Sequence, residues 1–266
     1  MSSFQKAIKY LAIAFAIFLI VSIFGGILGA VGILDGLFGR ESATGDLKTY
    51  AVSEDITSLK VTINAADFTI KSDDAFSVES NLSNLTVQEK NGTLVITEKK
   101  KSGLNYNDAV LTLCIPEGFK FEEAQLTTGA GMLTVETLSA KKLQMELGAG
   151  EVNIQQLNAD SKAKISGGAG ALTISSGVLN DLDVKMGIGE MNLTAALLGS
   201  SELDYGIGEA NLTLLGSKDD YRLELEKGIG DIRVEDQSMR NDSVYGSGMN
   251  EVEITGGIGA VYIVFQ

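Results

Sequence analysis

The sequence predicts an all-β protein, a parallel β-solenoid of about 19–20 residues per coil preceded by one transmembrane α-helix. Three observations carry that expectation. Gly-x-Gly recurs at near-constant spacing, apolar residues alternate around each recurrence, and a long uncharged run stands near the start.

The recurrences are Gly129-Ala130-Gly131, Gly148-Ala149-Gly150, Gly168-Ala169-Gly170, Gly187-Ile188-Gly189, Gly206-Ile207-Gly208, Gly228-Ile229-Gly230 and Gly257-Ile258-Gly259. Their first glycines are 19, 20, 19, 19, 22 and 29 residues apart. A fixed period near 20 marks units that each stack on their neighbours alone. Leu143, Met145 and Leu147 precede one corner, and Val152 and Ile154 follow it. Leu182, Val184 and Met186 precede another, followed by Met191 and Leu193. Period two means strands with one face inward. The glycines suit a repeated sharp bend that needs positive φ or close backbone approach. The central residue changes from Ala to Ile along the chain; pointing inward, it would fill a widening corner. Lys227 breaks the slot held by Leu147, Met186 and Tyr205, which places that slot near solvent.

Residues 10–34 carry no charge, with Lys6 and Lys9 before them and Asp35 after. As a helix this run would be about 38 Å long, enough to cross a bilayer core of about 30 Å. It exceeds the apolar stretch of a cleaved signal peptide. The positive flank leaves the N-terminus in the cytoplasm and the rest outside the cell membrane. Gly25, Gly29, Gly32 and Gly36 share one helical face, a possible surface for helix pairing and oligomerisation. The expected domains are 1–40 (cytoplasmic start and span), 41–121 (irregular β region and first coils) and 122–266 (the repeats). Within the second, residues 85–97 flank Asn91-Gly92, a hairpin signal. Pro116-Glu117-Gly118 reads as a turn into the repeats.

Composition narrows the function. There is no histidine and one cysteine, so His-dependent nucleophile pairs, Cys-rich zinc sites and internal disulfides are excluded. A net charge of −14 argues against nucleic acid, which needs a basic footprint. With 34 acids and 18 bases after residue 40, the external part favours cationic partners over anionic lipid.

The stretch Leu113-Cys114-Ile115-Pro116-Glu117-Gly118, the Gly-Ala-Gly and Gly-Ile-Gly units, and residues 221–230 together resemble the bacterial "putative adhesin" family of Gly-rich β-strand repeats. The resemblance covers roughly residues 50–266. It implies a β-repeat fold at the cell envelope, with relatives in Gram-positive envelope-stress operons of the Lia type, and it supplies no catalytic residues.

Among candidate sites, Glu151, Glu190, Glu209 and Asp231 follow the corners, with Asn153, Asn192 and Asn211 two places on. Stacking would align them into an outward polar ladder. Comparison with nonapeptide calcium rolls fails on spacing, and Ala171 and Ala260 interrupt the column, so neither metal nor cofactor is expected. Cys114 reads as a buried, inert thiol. The expected protein is a non-enzymatic, membrane-anchored, extracytoplasmic binding module. Its expected partners are envelope proteins, wall polymer or cationic peptides. The alternative is a regulatory subunit of an envelope-stress system acting through its membrane helix.

Overall fold

A computed structural model describes residues 41–99 and 104–266. In chain order the strands begin with β1 (Glu41–Ser42), β2 (Thr44–Ala51), β3 (Ser58–Ala65), β4 (Asp67–Asp73), β5 (Ser77–Leu82) and β6 (Leu85–Lys90). They continue with β7 (Thr93–Glu98), β8 (Leu104–Asn105), β9 (Val110–Pro116), β10 (Phe121–Ile174), β11 (Gly177–Asn180) and β12 (Leu182–Leu198). The last are β13 (Ser200–Leu214), β14 (Tyr221–Val234), β15 (Gln237–Ser238), β16 (Ser243–Gly246) and β17 (Asn250–Phe265). A 3-10 turn at Lys218–Asp220 precedes β14. The chain divides into two units. In the smaller, β1 pairs with β8 in parallel.

The larger unit is a stack of coils bent at the glycine corners. β3 and β4 form the first coil around Asn64-Ala65-Ala66, in parallel register with the start of β10, where Ala130 faces Ala65. β10 runs unbroken through three corners, and Ala169 faces Ile188 on β12. β12 then pairs with β13 along both arms of the bend. A short third run adds a side to the coil, where Leu157 faces Gly177 and Val178 faces Ala196.

The alternation does the packing. Leu182, Val184, Met186, Met191 and Leu193 are buried, whereas Glu190 is exposed. The inward set is even before this corner and odd after it, so the four residues Gly187-Ile188-Gly189-Glu190 all lie outside the core. The same phase change separates Leu147 from Val152 and Tyr205 from Ala210. Hence the central residues point outward, correcting the expected inward column. Ala130, Ala149 and Ala169 are exposed, and Ile188 is 43% exposed.

The expected fold class is corrected on two counts. No helix among the described residues is long and apolar enough to cross a membrane. The uncharged run 10–34 and the face of Gly25, Gly29, Gly32 and Gly36 lie outside the described residues. Nor is the β part a purely parallel solenoid in serial order. The chain leaves β13 and lays β14 one place too far out, then returns so that β17 pairs in parallel with both β13 and β14. The 22- and 29-residue intervals contain this excursion.

Antiparallel strands cover both ends of the stack. β15 and β16 pair with the outer edge of β14. At the other end β6 pairs with β7, and β2 and β5 continue from β9. An uncovered edge would present unpaired N–H and C=O groups to other chains. The β6–β7 hairpin turns on Asn91 and Gly92, at φ +50° and +74°, the pair of left-handed residues that a two-residue hairpin requires. At Pro116 the Phe119 N–H donates to the Pro116 carbonyl (3.0 Å) across Gly118, at φ +72°, so the lone proline opens a turn.

Candidate interaction surface

Of the glycines expected at corners, Gly131, Gly150, Gly170, Gly189, Gly208 and Gly259 have positive φ. Two positions show why glycine is required. A Cβ on Gly168 would overlap the carbonyl oxygen of Gly148 in the coil below. Gly189 has φ +142°, and a Cβ there would overlap the Gly170 carbonyl oxygen still more closely. Tight stacking and a left-handed backbone thus exclude side chains on both sides of the central residue. The central side chain lies outside the core, exposed at Ala130, Ala149, Ala169 and Ile188 and half-buried at Ile207, Ile229 and Ile258.

Along the stack these side chains form a ridge. Ile188 faces Ile207, Ile207 faces Ile258, and Ile258 faces Ile229, about 4.8 Å apart as neighbouring strands are. Continuing from the ridge, the outward row of β17 is Ala260, Tyr262 and Val264, the last two 39% and 41% exposed. The neighbouring coils carry Glu209, Asn211 and Thr213 on one side and Asp231 and Arg233 on the other. The strand inserted out of order is therefore the apolar one. Ridge and row cross at Ile258.

The acid column beside the ridge is a hydrogen-bonded ladder. The Asn153 amide donates to Glu151 (2.8 Å), Asn192 to Glu190 (2.8 Å) and Asn211 to Glu209 (3.2 Å). Asn211 also donates to the Asn192 Oδ1 of the adjacent coil at 3.0 Å. Ala171 and Ala260 interrupt the column in register. Among the described residues no group of three His, Cys, Asp or Glu side chains is placed to hold a metal.

Asp231 differs from the other acids. Its carboxylate accepts from Lys227 Nζ (2.8 Å), Ser238 Oγ (2.7 Å) and Arg233 Nε (3.1 Å). The Lys227 ammonium, then the Ser238 hydroxyl and the Arg233 guanidinium, hold it well below the usual carboxylate range. Lys227 fits here because β14 is the last coil and its slot faces Gly256, which has no side chain. At the opposite end Glu98, 2% exposed, accepts the N–H groups of Asn64 (2.6 Å) and Ala65 (3.2 Å). Its carboxylate stands where a preceding corner would otherwise lie. Sequence reading missed Glu98, which no local pattern marks as buried. Tyr205 bonds from inside to the carbonyls of Gly189 and Glu209 (2.8 Å to the latter), and burial raises its pKa. Cys114 is buried, which pushes its thiol up.

Stacked β-coils with a polar ladder and an outward apolar crossing define an all-β repeat domain. The sequence profile of the Toastrack DUF4097 family matches residues 71–256, and the chain belongs to that family. In fold it is similar to a putative adhesin from Parabacteroides distasonis, at 17% identity and TM-score 0.43, covering 84% of this chain and 99% of that one. It is similar also to a putative cell adhesion protein from Clostridium sporogenes (15%, TM-score 0.34, 83% and 99%). A putative lipid binding protein from Parabacteroides distasonis gives 15%, TM-score 0.39, and 84% and 99%. Among curated proteins no relative matches the chain.

Proposed function

We propose that the chain is a non-enzymatic, adhesion-type binding module of the cell envelope that contacts its partner through the outer face of β17 and the isoleucine ridge. The observation that carries this reading is the break in the ladder. Coils on either side of β17 present carboxylate, amide and guanidinium groups, whereas β17 presents Ala260, Tyr262 and Val264. An exposed apolar patch rimmed by polar residues is the usual mark of a contact surface. The outward acids Glu151, Glu190 and Glu209 are each engaged by the amide two residues on, which suits a structural ladder better than an acid–base pair.

The test is site-specific photocrosslinking of the full chain in intact cells. A photoreactive residue at Tyr262 should capture a defined partner, and one at exposed Lys142 should not. Equal capture from both positions, or none from Tyr262, contradicts the assignment.

A further inference from the structure

The ridge carries information about its partner's chemistry. The columns flanking it in register are Lys185, Asp204, Thr255 and Glu226 on one side, and Glu190, Glu209, Ala260 and Asp231 on the other. Lys185 is held by Asp204 at 2.7 Å and Lys227 by Asp231 at 2.8 Å, so the bases there are already matched by acids. Residues 181–266 contain sixteen acids against six bases, a net −10 of the chain's −14. Four aligned isoleucines, Ile188 exposed and Ile207, Ile258 and Ile229 half-buried, thus run between two borders at the most negative end of the molecule. One is of mixed charge, with Glu226 unpaired by a base among the described residues, and the other carries Glu190, Glu209 and Asp231.

We propose that this ridge docks a basic amphipathic polypeptide segment, with its apolar side chains along Ile188, Ile207, Ile258 and Ile229 and its lysines or arginines over the bordering carboxylates. The inference rests on the binding-module reading and names its ligand class. Charge complementarity selects this occupant. A second copy would bring the same carboxylates into like-charge contact, and anionic lipid or polyanionic polymer would be repelled. The ridge also has the right pitch. Three intervals of about 4.8 Å approach the 5–6 Å between side chains three and four apart on a helix. About three helical turns would place an apolar residue near each isoleucine.

The experiment titrates the purified full-length chain with three 14-residue peptides. One has leucine and lysine in helical period, one has the same composition scrambled, and one has glutamate in place of lysine. The first should bind at least tenfold more tightly than the other two. Ile207→Ser with Ile258→Ser should weaken it at least tenfold at an unchanged melting temperature. Glu190→Gln with Glu209→Gln should weaken it severalfold and flatten its salt dependence. Equal binding of the scrambled peptide would reduce the effect to bulk electrostatics and overturn the proposal. So would unaltered binding by the isoleucine variants, or no binding at all. Should Tyr262 still capture a partner in cells while the lysine peptide fails to bind, the ridge assignment falls and the binding-module reading stands.

Discussion

Met186 lies over Gly167 in the adjacent coil, and its thioether occupies the space that a Cβ on Gly167 would need. Along this inward slot the register runs Gly167, Met186, Tyr205, Gly256 and Lys227. Large side chains thus sit beside glycines, so each fills volume that its neighbour leaves. The slot differs from the corners proper, where glycine meets backbone.

That difference gives a paired prediction. Gly167→Ala displaces only the flexible end of Met186, which tolerates repacking, and should cost about 1 kcal/mol. Gly168→Ala drives its methyl into the Gly148 carbonyl, which cannot move without its own ladder, and should cost about 3 kcal/mol or more. Urea unfolding of the two variants separates the cases. Equal costs would show that the corner is not closed by backbone contact.

Glu98 terminates the stack from within. Glu98→Ala would leave the Asn64 and Ala65 N–H groups without their acceptor and should cost about 3 kcal/mol. Glu98→Gln retains one acceptor oxygen and should cost about half as much. An alanine variant as stable as the parent would show that the first corner finds another partner.

Asp231 makes an acid-dependent contribution. Because the folded protein lowers its pKa, the stability it adds is present above the unfolded carboxylate value of about 4. That stability is lost as pH falls towards the folded value. Asp231→Asn should therefore melt below the parent at neutral pH, with the gap closing below about pH 4. Asp231 and its partner Lys227 are both partly exposed, so added salt should also narrow the gap. A gap independent of pH would assign the effect to packing.

How much of this was legible in the sequence differs by feature. The bends and the alternation could be read directly, because only glycine tolerates the corner backbone and strands repeat every two residues. The outward direction of the isoleucines could be read only in part. Met186 and Met191 are five apart, an odd step that forces a change of face between them, but Ile188 keeps the parity of Met186 and the pattern does not say on which side of it the change falls. The order of the last coils could not be read. Ala260 and Tyr262 mark β17 as different, but its neighbours are set by long-range register, which local pattern does not encode. Glu98 was hidden for a similar reason, since its burial depends on a corner thirty-four residues earlier.

The final strand lies between β13 and β14, with its apolar row outward. Disulfide trapping tests it most directly. Asn211 faces Tyr262 in register, and Tyr262 faces Arg233 on its other side. Neighbouring strands bring Cα atoms within disulfide range, whereas strands two places apart, about 9–10 Å, do not. On oxidation, Asn211→Cys with Tyr262→Cys should crosslink within the chain, and Asn211→Cys with Arg233→Cys should not. Crosslinking of the second pair in place of the first would mean that the coils stack in serial order, contradicting the inserted strand and the surface assigned to it.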